Sequence, residues 1–330
     1  MNNIILLMNK MIKKTLLIIF LILIHKILFA EIIYVSNEKD HNITVIDGKS
    51  LEVIKTVKVG HRPRGIILSK DKKKIIICTS DDNRITVVDV DSLEVEYYLP
   101  SGPDPELMVM DDAGKFIYVA NEDDNMVTVV DYINRKVIKE IPVGVEPEGM
   151  GLSPDGKTLV NTSETTNMAH FIDTGTLEIK ANVLVDARPR VAQYSSDGKF
   201  VWVSSEIGGT VSVIDSSKLE IIKKIEFSIP GLSKESVQPV GVRLDNKRGL
   251  AYVALGPANR IAIVNMKTYE VEKYILTGQR VWNLMINTDG TKLYTTNGVS
   301  NDISVIDIDK RKVIKSIPVG RYPWGVAVRE

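Results

Sequence analysis

The sequence predicts an all-β protein, a seven-bladed β-propeller built from four-stranded blades. Three observations support this prediction: a four-strand pattern, its fixed spacing along the chain, and chain ends that complement each other. The pattern is clearest from Tyr118 to Leu159, where short runs of β-branched residues alternate with turns of Gly, Pro, Asn and Asp. A four-strand repeat of about 40–45 residues is typical of propeller blades.

Within this copy we expect strands at Phe116–Ala120, Met126–Val130, Lys136–Pro142 and Met150–Ser153. The segment Gly144–Gly149 forms the turn before the fourth strand. Asp-Gly pairs then lead into several of the following copies, and such pairs suit hairpins that need a left-handed residue. The pairs are Asp155-Gly156, Asp197-Gly198 and Asp289-Gly290.

Two positions repeat in register along the whole chain. The second strand closes with Asp47, Asp89, Asp131, Asp173, Asp215, Asn265 and Asp307. The turn before the fourth strand carries Pro63, Pro105, Pro147, Pro189, Pro239, Val281 and Pro323. Successive members are 42 residues apart, except for one step of 50 in each series. Both series therefore predict one insertion of eight residues, around Phe227–Gln238.

The two ends of the repeat array predict how the ring closes. Ile32–Asn37 corresponds to the first strand of a repeat and has no inner strand before it. Gly325–Arg329 corresponds to an inner strand alone. The last strand should therefore complete the first blade, which gives seven blades and removes exposed sheet edges.

Residues 1–30 are expected to lie outside the propeller. Lys10, Lys13 and Lys14 precede the apolar run Leu16–Ile24, and the segment ends at the small residue Ala30. This order predicts a secretory signal peptide cut after Ala30, and hence a periplasmic protein. The apolar run is shorter than the roughly 20 residues of an ordinary membrane span. An uncleaved anchor is the alternative, and residues 31–330 form one domain under either interpretation.

Composition excludes several kinds of site. Without the four lysines of the leader, 38 basic residues stand against 42 acidic ones, a net charge of −4. This balance provides no general field for nucleic acid or anionic membranes. The single cysteine, Cys78, excludes an internal disulfide, and its apolar strand predicts a buried hydrophobe rather than a reactive thiol. We expect no bound cofactor and no histidine-based metal cluster.

Residues that recur in every blade are interpreted as architectural. The Asp47 series should accept backbone N–H bonds in the turn that follows it. One repeat position carries an aromatic residue in five blades, and we expect these side chains to pack between blades. They are Tyr34, Tyr118, Trp202, Tyr252 and Tyr294.

Residues that vary at a fixed place are interpreted as candidates for binding. The turn before each inner strand should lie at the mouth of the central channel. The residues flanking its Pro position are Arg62 and Arg64, Asp104 and Glu106, Glu146 and Glu148, Arg188 and Arg190, Gln238 and Val240, Arg280 and Trp282, and Tyr322 and Trp324. The connection after each first strand adds Glu38, Asp81, Glu122, Glu164 and Glu206. Two hypotheses follow: a solvated rim of paired charges, or a binding funnel with an aromatic sector.

Catalytic motifs are absent from the sequence. It contains no Gly-x-Ser-x-Gly elbow, no phosphate-binding glycine loop and no His-Glu-x-x-His. The carboxylate pairs Asp104/Glu106 and Glu146/Glu148 could hold Ca²⁺ or Mg²⁺, although neighbouring arginines oppose this. A metal-dependent propeller hydrolase or lyase is therefore the alternative to a non-catalytic protein.

The repeats YVANEDDNMVTVVD and VGVEPEGMGLSPDGKTL resemble the YVTN-type β-propeller repeat. Stretches such as VDARPR, QPVGVRL and VALGPANR resemble the seven-bladed periplasmic proteins associated with PQQ-dependent alcohol catabolism. The resemblance implies a non-catalytic binding or scaffold protein. It also implies a quinoprotein dehydrogenase or a transport component as partner, or a small planar anion such as PQQ as ligand. The docking tryptophans and vicinal disulfide of quinoprotein dehydrogenase propellers are missing, so the chain is not expected to use PQQ as its own redox cofactor.

Overall fold

The structure, a computed structural model, describes residues 31–330. It contains seven four-stranded antiparallel sheets arranged as the blades of a propeller, which confirms the predicted fold class and blade count. The predicted signal peptide lies outside the described residues. Among residues 31–330 no helix is long and apolar enough to cross a membrane.

The 28 strands follow one another with short turns, and two single-turn 3-10 helices lie at Ser80–Asp82 and Lys234–Ser236. In chain order the strands are β1 (Ile32–Asn37), β2 (Asn42–Asp47), β3 (Glu52–Lys58), β4 (Pro63–Leu68), β5 (Lys74–Thr79), β6 (Arg84–Asp89), β7 (Val95–Pro100), β8 (Pro105–Met110), β9 (Phe116–Asn121), β10 (Met126–Asp131), β11 (Lys136–Pro142), β12 (Pro147–Leu152), β13 (Thr158–Ser163), β14 (Met168–Asp173), β15 (Glu178–Leu184), β16 (Pro189–Tyr194), β17 (Phe200–Ser205), β18 (Thr210–Asp215), β19 (Glu220–Glu226), β20 (Val242–Asp245), β21 (Leu250–Ala254), β22 (Arg260–Asn265), β23 (Val271–Leu276), β24 (Val281–Ile286), β25 (Lys292–Asn297), β26 (Asp302–Asp307), β27 (Lys312–Pro318) and β28 (Pro323–Arg329).

The ring closes through the last strand. Blade 1 has the strand order β28-β1-β2-β3, and blades 2 to 7 each consist of four consecutive strands from β4 onward. In the closing pair, Tyr34 lies opposite Ala327 and Val35 opposite Val326. The predicted closure of the first blade by the C-terminal strand is confirmed.

The inner strands begin earlier than the sequence suggested. The strand expected at Met150–Ser153 starts at Pro147, and its pairing with β13 shifts register between Pro147 and Met150. Proline has no N–H to donate, so it is tolerated at the first position of a strand or beside a bulge. The Pro position and the residue after it are consequently part of the sheet, which fixes these two side chains at the channel.

Apolar contacts between neighbouring blades form most of the core. All five residues of the repeated aromatic position are buried, and each belongs to a cluster that includes residues of the next blade. Trp202 of blade 5, for example, packs with Val242 and Val253 of blade 6. Cys78 is also fully buried, and its burial raises the pKa of the thiol well above the ordinary value. The architectural interpretation of these positions is confirmed.

The Asp47 series and the Asp-Gly pairs behave as turn residues. The Oδ1 of Asp47 accepts the backbone N–H groups of Lys49 and Ser50, and the same pattern recurs in the later blades. Gly156 adopts a φ of 70°, the left-handed conformation that its hairpin requires.

The predicted insertion lies between β19 and β20 and shortens the inner strand of blade 6 to four residues. Three apolar side chains, Phe227, Ile229 and Val237, are buried in the core cluster between blades 5 and 6. The intervening residues Gly231–Glu235 are exposed. The insertion is therefore anchored at both ends and presents only its tip to solvent.

Candidate functional site

The residue before each Pro position has a left-handed backbone in six of the seven blades. The six φ angles lie between 49° and 60°, at Arg62, Asp104, Glu146, Arg188, Arg280 and Tyr322. A side chain in this conformation costs roughly 1–2 kcal/mol, because its Cβ crowds the following carbonyl oxygen. Blade 6, which follows the insertion, is the exception and carries Gln238 at this position without a positive φ.

Two hydrogen bonds hold each of these six residues in place. In all six, the backbone N–H donates to a side chain 21 residues earlier, in the preceding blade, over 2.8–3.1 Å. Its carbonyl accepts the backbone N–H of the residue that follows the strand next to the inner strand. In blade 3, for example, the N–H of Glu122, just after β9, donates to the carbonyl of Asp104. The acceptors of the N–H groups are His41, Asn83, Asn125, Asn167, Asn259 and Asn301. These asparagines repeat in the sequence with the period of the blades, a signal that the sequence analysis overlooked.

Side chains from six of the seven blades, all but blade 4, line an open cavity of about 330 Å³ at the channel mouth. Eight of the thirteen residues predicted from the sequence line it: Arg62, Arg64, Arg188, Arg190, Gln238, Arg280, Trp282 and Trp324. Four more complete the wall: Glu38, Glu122, Glu206 and Ile207. Ile207 was missed, and no periodic signal marks it. We call this space the mouth cavity.

On one side of the mouth cavity, two arginines of blade 2 pair with two carboxylates of blade 3. Arg62 donates to both oxygens of Asp104, over 2.7 and 2.9 Å, and to Glu106 over 3.2 Å. Arg64 donates to the other oxygen of Glu106 over 2.5 Å. Glu106 is fully buried, so this network is not the solvated rim that one of the two hypotheses proposed.

A second network occupies the opposite side. Arg190, itself only 5% exposed, contacts Glu148 over 3.1 Å and is hydrogen-bonded to Glu164. Arg188 lies 2.8 Å from Glu164 and 3.2 Å from Glu206. Arg280 reaches the other oxygen of Glu206 over 3.2 Å. Across the two networks, the carboxylates behind the wall therefore hold the guanidinium groups of four arginines in fixed positions. These are Arg62, Arg64, Arg188 and Arg190.

Burial changes the ionisation of the carboxyl groups in this network. It raises the pKa of Glu164 to about 8, aided by Glu148 and Glu122 and opposed by Arg190 and Arg188. It also raises the pKa of Glu106 and of Glu122, again with neighbouring carboxylates adding to the effect. With a pKa of about 8, Glu164 is largely protonated near pH 7, which leaves part of the charge of its arginine partners uncompensated.

Two tryptophans of adjacent blades form the aromatic sector of the mouth cavity. Arg280 lies over the ring of Trp282 at 4.5 Å from its centroid, and Arg64 lies over Trp324 at 5.4 Å. The position that carries Glu in four other blades is Gly298 here. A Cβ on Gly298 would lie 2.3 Å from the Nε1 of Trp282, so the missing side chain makes the room for this indole.

Five of the thirteen predicted binding residues do not line the cavity, and neither do Val240, Asp81 and Glu164, which were also expected at the mouth. Asp104, Glu106 and Glu148 lie behind the wall as ion-pair partners. Glu146 accepts a hydrogen bond from Thr165, and Tyr322 is exposed to solvent. Arg321, which precedes Tyr322 in the same turn, pairs with Asp40 over 2.6 Å outside the cavity.

Carboxylates also gather around Glu122. Its side chain lies within 4.8 Å of Asp104 and Glu106 on one side, and of Glu146 and Glu164 on the other. Oxygens in such groups can hold a hard divalent cation. Both oxygens of Glu106 and both of Glu164 lie against arginines, however, so a cation here would have to displace guanidinium groups.

Comparison with known proteins supports the propeller fold described above. The family described as "Cytochrome D1 heme domain" matches residues 70–188, which span blades 3 and 4 and most of blade 2. No curated protein matches the chain significantly.

Among solved structures, hydrazine synthase of Kuenenia stuttgartiensis has a TM-score of 0.77 at 21% identity, covering 83% of this chain and 91% of that one. A functionally unknown protein of Desulfotomaculum acetoxidans DSM 771 has a TM-score of 0.76 at 14% identity, over 91% and 99% of the two chains. The dihydro-heme d1 dehydrogenase NirN in complex with DHE has a TM-score of 0.69 at 16% identity, over 89% and 74%. At these identities the likeness concerns the propeller fold.

The haem named by the matching family does not fit the mouth cavity. Haem iron is held by a His, Cys, Met or Tyr side chain. The described residues that line the mouth cavity include none of these types. The cavity therefore provides planar and charged contacts but no axial ligand.

Proposed function

We propose that this chain is a non-catalytic β-propeller that binds a small, planar, multiply anionic ligand in its mouth cavity. The observation that carries the proposal is that two tryptophan rings and five arginine side chains line the same cavity. Flat aromatic faces favour stacking with a planar molecule, and guanidinium groups donate paired hydrogen bonds to carboxylates.

The charge of the wall supports an anionic ligand. Five arginines and three glutamates line the mouth cavity, and the four other carboxylates that pair with these arginines lie behind the wall. The carboxylates behind the wall orient these arginines before any ligand arrives, which lowers the ordering cost of binding. The raised pKa of Glu164, about 8, reduces the opposing negative charge.

The resemblance to the periplasmic propeller proteins associated with PQQ-dependent alcohol catabolism suggests the ligand and the setting. PQQ is a planar tricarboxylate, so its shape and charge suit two stacking faces and several guanidinium groups. A role beside PQQ-dependent alcohol oxidation in the periplasm follows from that resemblance. A quinoprotein dehydrogenase or a transport component would then be the partner that delivers or receives the ligand.

Titration with PQQ, followed by tryptophan fluorescence, tests the proposal. The chain has three tryptophans, and Trp202 is buried between blades 5 and 6, far from any ligand contact expected here. We expect quenching in the parent protein and in Trp202→Phe, and its loss in Trp282→Ala. Trp282→Phe, which keeps a flat ring, should retain binding when calorimetry replaces fluorescence.

Charge is tested with Arg188→Gln, because Arg188 is part-exposed whereas Arg190 is buried among carboxylates. A hydrogen bond to a charged group contributes about 1.5–3 kcal/mol, so affinity should fall at least tenfold. The matched control is Arg321→Gln, which removes an arginine of the same face that lies outside the mouth cavity. Equal affinity in both variants would show that the mouth cavity does not hold the anion.

The metal-dependent hydrolase or lyase remains a distinct candidate, favoured only by the carboxylates around Glu122. Elemental analysis of purified protein and titration with Ca²⁺ and Mg²⁺ separate the two functions. Stoichiometric metal that is lost in Glu122→Gln would favour the enzyme, and PQQ binding unaffected by a chelator would favour the binding protein.

A further inference from the structure

A second cavity lies within the central channel, distinct from the mouth cavity. It has a volume of about 230 Å³, and inner strands of all seven blades contribute to its wall. The wall is mainly aliphatic and thioether, formed by residues such as Ile67, Leu107, Met108, Met150, Val191 and Met285. We call this space the channel cavity.

One cationic side chain, Arg243 of β20, lines the channel cavity. The equivalent inner-strand residues of the other blades are Ile67, Val109, Gly151, Gln193, Met285 and Ala327, none of which is charged. Arg243 therefore departs from its repeat in one blade, and packing in a seven-fold ring does not require it.

The guanidinium of Arg243 has almost no polar partner in the part of the chain that the structure describes. No carboxylate of residues 31–330 lies within 4.0 Å of it, in contrast to the arginines of the mouth. Its Nε has no hydrogen-bond acceptor, and Nη1 has one long contact of 3.4 Å with the carbonyl of Val242. Arg243 is only partly exposed, to the channel, and its guanidinium has no partner of opposite charge among the described residues, so it is available to pair with an anionic ligand there.

Ionisation of Arg243 agrees with this geometry. Burial lowers the pKa of its guanidinium to about 10, and no neighbouring group opposes the shift. The side chain is nevertheless charged at neutral pH, because its pKa stays well above 7.

We propose that the channel cavity binds a small monocarboxylate with an apolar body, whose carboxylate pairs with Arg243. The single positive charge matches one carboxylate, and the aliphatic and methionine wall matches the apolar remainder. Methionine side chains adapt to irregular apolar ligands, and three of them contribute here. The site is separate from the mouth cavity, so it stands or falls independently of PQQ binding.

Calorimetric titration of the full propeller with octanoate, at fixed ionic strength, tests the proposal. We expect one octanoate per chain, and at least tenfold weaker binding of the neutral analogue 1-octanol. Arg243→Met should reduce octanoate affinity at least tenfold and raise the melting temperature, since it removes an unpaired charge. Arg260→Met, which changes an arginine of β22 that contacts the carbonyl of Ala258, should bind octanoate normally.

Methyl NMR of the methionines locates the ligand without any variant. Octanoate should shift the signals of Met108, Met150 and Met285, and leave those of Met126 and Met168 unchanged. Three results would overturn the proposal: equal affinity for octanoate and octanol, unchanged binding by Arg243→Met, or shifts confined to methionines outside the channel cavity. Stabilisation by chloride equal to that by octanoate would likewise exclude recognition of an apolar body.

Discussion

At the scale of single residues, the mouth cavity depends on the absence of a side chain as much as on those present. Trp282 occupies space that Gly298 leaves open, whereas four other blades carry a glutamate at the equivalent position. The same repeat position therefore supplies a glutamate in four blades and, as glycine in blade 7, leaves room for an indole ring.

Gly298→Ala tests this dependence. The added Cβ would meet the Nε1 of Trp282 at 2.3 Å, so the indole must rotate. We expect a changed tryptophan emission maximum and about tenfold weaker binding of PQQ, with a loss of stability of about 1–3 kcal/mol at most. Gly175→Ala, in an exposed turn, is the control and should change neither. Unaltered emission in Gly298→Ala would contradict the assigned packing.

A second residue-scale prediction concerns Glu164. Its pKa is about 8 in the folded chain against an ordinary 4.5, so the folded state binds more protons than the unfolded state between these values. Stability contributed by this group is therefore present below about pH 4.5 and lost as the pH rises to about 8. Thermal melts from pH 5 to 9 should show falling stability, and Glu164→Gln should make the decline shallower. Parallel profiles for the two proteins would exclude Glu164 as a source of the decline.

At the scale of the element, six of the seven mouth turns contain a residue in the left-handed conformation. Hydrogen bonds at both its N–H and its carbonyl hold that residue in place. The asparagine of one blade accepts the N–H of the left-handed residue before the Pro position of the next blade, and this pairing recurs around the ring. The energy lost in backbone strain is offset by these hydrogen bonds, so the turns can present charged side chains in a defined direction.

Asn167 provides the test, because its side chain accepts the N–H of Arg188 over 3.0 Å and its own φ is 57°. Asn167→Ala removes the hydrogen bond. It also leaves alanine in a left-handed conformation, and alanine has no polar side chain that could offset the strain by a local hydrogen bond. We expect a loss of about 1–2 kcal/mol in chemical denaturation, together with weaker PQQ binding. Asn167→Gly removes the bond alone and should cost less. A larger loss for glycine than for alanine would contradict this account.

Strand placement and blade count could be predicted from the sequence because they depend on local patterns and on the register of repeats. Arg62 and Asp104, which occupy equivalent turns of neighbouring blades, were expected on the same face for that reason. The start of the inner strand at Pro147 could not be predicted, since it depends on a bulge that only pairing with β13 reveals.

The sequence also could not predict which of the mouth residues point into the cavity. Arg64 and Glu106 occupy the same repeat position, yet Arg64 lines the mouth cavity and Glu106 lies behind it. The difference arises from side-chain length and from pairing across blades. Arg243 could have been noticed as the one charged member of its repeat position, but its lack of a partner is visible only in three dimensions.

At the scale of the whole molecule, the ring is held by the pairing of its first and last strands. β28 pairs with β1 from Ile32 to Asn37, and Ser36 connects this blade to blade 2 by donating to the carbonyl of Arg64. Trp324 and Val326 of β28 are buried, so the same strand supplies both the closure and part of the aromatic sector. Closure and the candidate site are therefore coupled.

A chain that ends at Gly320 tests this coupling. It lacks β28, which exposes the edge of β1 and removes two large buried side chains, each contributing about 1.5–3 kcal/mol. Against a net stability of about 5–15 kcal/mol, we expect cooperative thermal unfolding and PQQ binding to be lost together. A chain ending at Arg329 keeps all of β28 and should behave like the full protein. A synthetic peptide spanning 321–330, added to the truncated chain, should restore part of both properties by pairing with β1. A truncated chain that melts at the same temperature as the full protein would show that this strand does not close the ring.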